Sequence, residues 1–200
     1  MTGDGDAATD WTAFSRLDLD GSLSQGWTEG LQGNPAAPVD VQVAMLGLSA
    51  TIHWRLGLPD AVVEAALRSP HLGLRTSLTD MPLDRITTEQ WSRLLLDEPE
   101  VGARWKLLFG LVESDVPLTD EAFGELAAGQ VRVRRLVAAH RGLPATVAAD
   151  LAADPDAEVR DAVCHSSWRS LDERTRHLLV ADPDEEVREE ALMQHHRDHP

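Results

Sequence analysis

Cysteine occurs once in the 200 residues, at Cys164, so no internal disulfide can form, which fits a reducing compartment. Lysine also occurs once, at Lys106, against seventeen arginines. That bias reads as the Ala- and Arg-rich coding style of a bacterial genome rather than as function. No apolar run approaches the ~18 residues of a membrane span, and the longest, at 43–50 and 105–112, suit buried helices. The start, Met1-Thr2-Gly3-Asp4, lacks the basic residues and apolar block of a secretory signal, so a cytoplasmic location is expected. Serine-nucleophile signatures, phosphate-cradling glycine loops and paired zinc-ligand motifs are also missing. The expectation is a chain that is not an enzyme and needs no cofactor or metal.

Positive charge is scarce as well. The net charge is −16, and it is unevenly spread: seven acids and one base in residues 1–53, thirteen and eleven in 54–142, fourteen and six in 143–200. Such a field repels phosphate backbones and anionic lipid, because nucleic-acid affinity comes largely from neutralising phosphates with Lys and Arg. It serves solubility, and it favours a basic protein partner over nucleic acid or a membrane.

What the chain does have is repetition. At an offset of 28, residues 143–160 fall on 171–188 with nine identities in eighteen positions, among them Asp154/Asp182, Pro155/Pro183, Asp156/Asp184, Val159/Val187 and Arg160/Arg188. Fainter copies lie upstream. Five residues after an anchoring Pro comes an Arg: Pro70 to Arg75, Pro99 to Arg104, Pro155 to Arg160, Pro183 to Arg188. In the remaining copy Gly129 replaces the Pro and Arg134 follows. Successive anchors are spaced 29, 30, 26 and 28 residues apart. A sixth, atypical copy begins near Leu31, as end repeats must cap a stack.

Each repeat reads as two helical pieces. Leu143, Val147 and Leu151 fall at i, i+4, i+8 on one face, and Pro144 suits the first helical position. Asp154-Pro155 stops that helix, because the residue before Pro is driven from the α region. Val159, Ala162 and Val163 then stripe a second helix. Trp91, Leu94 and Leu95 play the first-helix part in an earlier copy, so Trp91 is expected in the core. Pieces this short are marginal alone and must lean on their neighbours. The predicted fold is all-α, an α-solenoid of about five to six two-helix repeats over 31–200, preceded by a partly ordered acidic arm at 1–30.

The Leu-Pro-x-x-Val…Leu-Ala-x-Asp-Pro-Asp-x-x-Val-Arg pattern at 143–160, echoed at 171–188, resembles the leucine-rich repeat variant class, a relative of the HEAT-type helical repeats. The resemblance is good over 143–192, fair over 58–142 and poor before 31. It implies a curved solenoid in which the recurrent Arg75, Arg104, Arg134, Arg160 and Arg188 form a ladder between neighbouring repeats, with Asp156 and Asp184 as acidic partners. One member of that class carries an iron–sulfur cluster on an N-terminal cysteine set, which this chain lacks.

Residues 18–29 place acidic or hydroxyl groups at positions 1, 3, 5 and 7 of a calcium loop and Glu29 at position 12, but Leu23 stands where the sharp turn needs Gly. The favoured reading there is an acidic arm whose Trp11, Phe14 and Trp27 pack on the first repeat. His195 and His199 are four apart near His196, with His165 and His177 one repeat back, yet no third ligand is fixed by spacing, and a solvated tail is the reading. Cys164, beside Val163, reads as a small core residue.

The position after each ladder Arg holds Thr76, Arg135, Asp161 and Glu189, but in one repeat it holds Trp105. A Trp in a register of polar residues is a candidate partner contact, the alternative being a shift that buries it against Phe109. Trp168, in the link 166–170, is a second candidate because loops often carry binding residues. The expected function is therefore a protein-binding scaffold or acidic recognition module, including an immunity- or antitoxin-type inhibitor of a basic protein. The rival from another class is a HEAT-like DNA glycosylase, which would need Arg132, Arg134, Arg135 and Arg141 to line one basic face.

Overall fold

Five arginines marked in the sequence perform one local task in the computed structural model. Arg75, Arg104, Arg160 and Arg188 each donate to the backbone carbonyl six residues back, that of Ser69, Glu98, Asp154 and Asp182. Arg134 donates to the Gly129 carbonyl at 2.9 Å, where the turn is shorter by a residue. The guanidinium thus clamps the turn between the two helices of its repeat. Residues 34, 36–46, 58–80 and 85–198 are described by the structure, and residues 1–30 with their calcium-like loop lie outside them.

Among the described residues all regular structure is helical: eleven α-helices and two short 3₁₀ turns. The chain forms two compact units, Met1–Pro82 and Leu83–Pro200. In the first, α1 (Val39–Leu46) packs on α2 (Asp60–Leu67), burying Val41, Met45, Val62, Val63 and Ala66, and α3 (Leu72–Ser77) follows.

The second unit holds α4 (Thr88–Asp97), α5 (Val101–Glu113), α6 (Asp120–Ala127), α7 (Val131–Ala138), α8 (Ala145–Leu151), α9 (Ala157–Ser167), α10 (Glu173–Val180) and α11 (Glu185–Asp198). First helices α4, α6 and α8 contact one another in succession, and so do second helices α5, α7, α9 and α11. Each repeat therefore covers the apolar stripe of the one before it.

Local chemistry sets the helix starts. Thr87 and Gln90 form a reciprocal capping box on α4: Thr87 Oγ1 accepts from the Gln90 N–H at 3.2 Å, and Gln90 Oε1 accepts from the Thr87 N–H at 2.8 Å. Thr119, Asp156, Asp172 and Asp184 cap α6, α9, α10 and α11 by accepting from the N–H three residues on. Pro144 stands just before α8, one position outside the first helical residue expected for it.

At the end of α5, Val116 N–H reaches the Leu111 carbonyl and Asp115 N–H that of Val112, a Schellman closure with Asp115 at φ 56°, where Gly is usual. Apolar contact between the ends of that motif is served by Leu111 and Val116, both buried.

The core runs through every repeat. Trp91, Leu95, Leu107, Leu108, Leu111, Val137, Val159, Val163 and Val187 are fully buried. Trp91→Ala would cost about 3–5 kcal/mol, the range for emptying a large aromatic site. Polar ties cross between repeats too. Ser92 Oγ accepts from the Thr119 N–H at 2.9 Å, and Ser166 Oγ donates to the Ala138 carbonyl. His140, 1% exposed, accepts at Nδ1 from the Gly142 N–H (2.9 Å), so its proton sits on Nε2, which donates to the Val116 carbonyl at 2.7 Å.

Candidate functional site

The second helices of the C-terminal unit present two adjacent registers, five and six residues past each anchor. In the first, Arg134 forks onto Asp154 of the next repeat, with Nε to Oδ2 at 2.7 Å and Nη2 to Oδ1 at 3.0 Å. Arg160 does the same to Asp182, with both bonds at 2.8 Å. The pair is well shielded: 11% of the Arg160 side chain and 6% of the Asp182 side chain are exposed. Burial alone would push the Asp154 carboxyl up. The Arg134 fork and the Asp156 N–H outweigh burial and hold it below the ordinary 3.8. Asp182 is likewise held low, burial being outweighed by Arg160 and the Asp184 N–H.

The rung acids are thus the aspartates before the Pro, not Asp156 and Asp184 after it. Position decides this. The residue before Pro lies in the turn past the end of the first helix, where the Arg of the preceding repeat reaches it, whereas the residue after it caps the second helix. Asp184 accepts from the Glu186 and Val187 N–H groups in that role. Asp156 caps α9 and also takes a fork from Arg135, at 3.0 and 2.9 Å. At Arg104 the acid position of the next repeat is Ala128, and this guanidinium turns its Nε and Nη2 onto the Glu98 carbonyl.

The adjacent register, one residue on, differs in every repeat. Trp105 is half-buried and stacks on Phe109 with ring centroids 5.4 Å apart and planes 21° from parallel. Phe109 is itself 44% exposed, so the pair forms a surface patch rather than a core contact. Arg135 comes next, held by Asp156 and by Glu158. Asp161 follows, within electrostatic reach of Asp184, Glu186 and Glu190 of the next repeat. Burial pushes its carboxyl up, the three acids reinforce the shift, and His165 partly offsets it. His165 stands between the two ends of that cluster, 3.5 Å from Asp161 and 3.4 Å from Glu190. Glu189 closes the row.

Several expected sites resolve differently. Trp168 is 3% exposed, a core residue in a 3₁₀ turn and not the exposed link contact the sequence suggested. Arg176 lies 5.7 Å from the centre of its ring and donates to its carbonyl, closing the turn around it. The indole N–H groups of Trp168 and of Trp91 find no acceptor among the described residues. Cys164 is buried and its thiol is pushed up to about 12, first by burial, which suits core packing rather than reactivity. Helix α11 continues through His195 and His196, whereas His199 lies outside the described residues.

Of the four arginines proposed for a basic face, Arg134 and Arg135 are committed to carboxylates, while Arg132 and Arg141 are exposed. A cleft of about 470 Å³ opens beside the start of α4, walled by Thr87, Glu89, Trp91, Asp115, Val116 and Pro117. Among the described residues no group of three or more His, Cys, Asp or Glu is placed to hold a metal ion, and no helix is long and apolar enough to cross a membrane.

The sequence held a signal for the Arg135 and Asp161 faces, since both stand in the register that singled out Trp105. It held none for the acids they meet, because those belong to the following repeat. Compared with protein-family models, with curated proteins and with solved structures, the chain matches none of them.

Proposed function

We propose that the chain is an α-solenoid that works by protein recognition rather than catalysis, reading a partner along the row of second helices. The observation that carries this reading is the stack of half-buried Trp105 on exposed Phe109, with Trp105 at a register where the sibling repeats carry Thr76, Arg135, Asp161 and Glu189. Aromatic patches of this kind are enriched among the residues that dominate binding energy. Charge along the same row supports the choice of partner. Beyond the aromatic pair come the Asp161–Asp184–Glu186–Glu190 cluster and Glu189, a field that attracts Arg or Lys. The partner of best fit is a protein segment with an apolar or aromatic anchor followed by basic residues. A phosphate backbone suits the row less, because Arg134 and Arg135 already serve internal acids.

The test is affinity capture from the native cell extract with full-length wild type, Trp105→Ala and Asp161→Arg as baits, quantified by mass spectrometry. A true partner is retained by wild type, weakened about thirtyfold by Trp105→Ala (about 2 kcal/mol, a hot-spot loss), and weakened again by Asp161→Arg. Equal retention of every protein by wild type and Trp105→Ala would sink the reading.

A further inference from the structure

The cleft beside the start of α4 is built from first-helix residues and the link between α5 and α6, not from the registers of the second helices. Its volume, about 470 Å³, lies in the range of small-molecule sites. The lining is of two kinds. Ile86, Val116 and Pro117 give it apolar surface, whereas Glu89 and Asp115 give it two carboxylates, and among the described residues the wall carries no base. Neither carboxylate meets a cation among those residues. Trp91 stands on the same wall, 0% exposed, and its indole N–H has no acceptor among the described residues. Buried polar groups are nearly always hydrogen-bonded, so an open donor in the wall of a cleft points to an acceptor carried by a bound molecule.

The helix start bears on the sign of that molecule. A helix N-terminus ordinarily favours an anion. Here Thr87 Oγ1 already takes the Gln90 N–H, and the two carboxylates repel further negative charge. A chain of net charge −16 also concentrates cations around itself. We propose that the cleft binds a small organic cation that carries a hydrogen-bond acceptor. An ammonium or guanidinium group is drawn to Glu89 and Asp115, a carbonyl oxygen accepts from the Trp91 indole, and a short hydrocarbon stem lies against Ile86, Val116 and Pro117. This site is separate from the Trp105 row and does not rest on it.

The probe is γ-guanidinobutyramide, which has all three features, titrated into the full chain by calorimetry at physiological ionic strength. The expected result is saturable binding that weakens about fivefold or more with E89Q or with D115N, the size of one lost charge-assisted hydrogen bond, and disappears in the double variant. Asn tolerates the left-handed backbone at 115, so D115N removes the charge and keeps the turn. Butylguanidine has the same charge but no carbonyl, so weaker binding of it tests the Trp91 donor without disturbing the core. Glu125, exposed on α6 and outside the cleft, is the control for bulk attraction: E125Q should bind as wild type does, and so should W105A. Absence of saturable binding, indifference to E89Q and D115N, an equal loss in E125Q, or equal affinity for butylguanidine would each overturn the proposal.

Discussion

The α7–α9 and α9–α11 interfaces are built on the same rung and differ one residue away from it. Arg134–Asp154 and Arg160–Asp182 superpose in role, each a two-bond fork out of the water. Beside the first, Arg135 meets Asp156 and Glu158, opposite in sign. Beside the second, Asp161 lies within electrostatic reach of Asp184, Glu186 and Glu190, alike in sign, with His165 between it and Glu190. The rung is shared by these two interfaces, and the residue beside it varies. The same register thus carries an opposite-sign pairing at one interface and, at the other, a carboxylate with acids around it and His165 beside it. An acidic surface that attracts a basic partner is the use proposed for it.

The largest expected effect comes from breaking the shared rung. Arg160→Ala leaves Asp182 buried without its cation and should cost about 3–5 kcal/mol in urea denaturation. Replacing both partners, Arg160→Met with Asp182→Leu, should recover most of that loss, because the cost lies in the orphaned charge. If the double variant is no more stable than the single, the rung contributes more than mutual neutralisation.

The comparison sharpens at the neighbouring position. Asp161→Arg should raise stability, by less than about 1 kcal/mol because a partly exposed charge is screened, whereas Arg135→Asp should lower it. Equal signs for the two exchanges would mean that the charge mismatch at Asp161 is not felt.

Acidity separates the two interfaces by sign. Asp154 and Asp182 titrate below 3.8 in the folded chain, so the stability they contribute is complete above 3.8 and is lost as pH falls below it. Asp161 titrates above 3.8, so its repulsion is present at neutral pH and is relieved as pH falls toward 3.8. Thermal melting across pH should therefore show a maximum on the mildly acidic side of neutrality, and Asp161→Asn should flatten the rise toward it. A wild-type profile that falls steadily from neutral pH would contradict this account.

The smallest change lies outside both interfaces. Asp115→Gly should stabilise the chain by about 0.5–1 kcal/mol, since Gly carries no penalty in the left-handed turn that closes α5. An unchanged urea midpoint would show that Asp115 earns its place through contacts of its own.

Much of the helical layout was legible because short-range rules write it. Asp-Pro stops and i, i+4 stripes depend only on neighbours along the chain, whereas the recurrent Arg was legible as a ladder and not as the clamp it also forms on its own turn. Trp91 was readable as core for the same reason: it shares a register with Val62, which is also buried. Trp168 misled because a link rich in Ser and Arg looks exposed, yet Arg176, eight residues away, folds over its ring. The rung acid could not be chosen from sequence, since Asp154 and Asp156 recur together at 182 and 184 and only the approach of the preceding repeat tells them apart.

Sequence by itself determined the helical character of the described residues, the breaks at Asp-Pro and the recurrence of the pattern, because hydrogen bonds and stripes within about one helical hairpin decide those matters. Tertiary structure alone decided which carboxylate Arg134, Arg135 and Arg160 each grip, and that Asp161 lies among acids of the next repeat. Those outcomes depend on atoms 20 or more residues apart, brought side by side only when one repeat settles on the next.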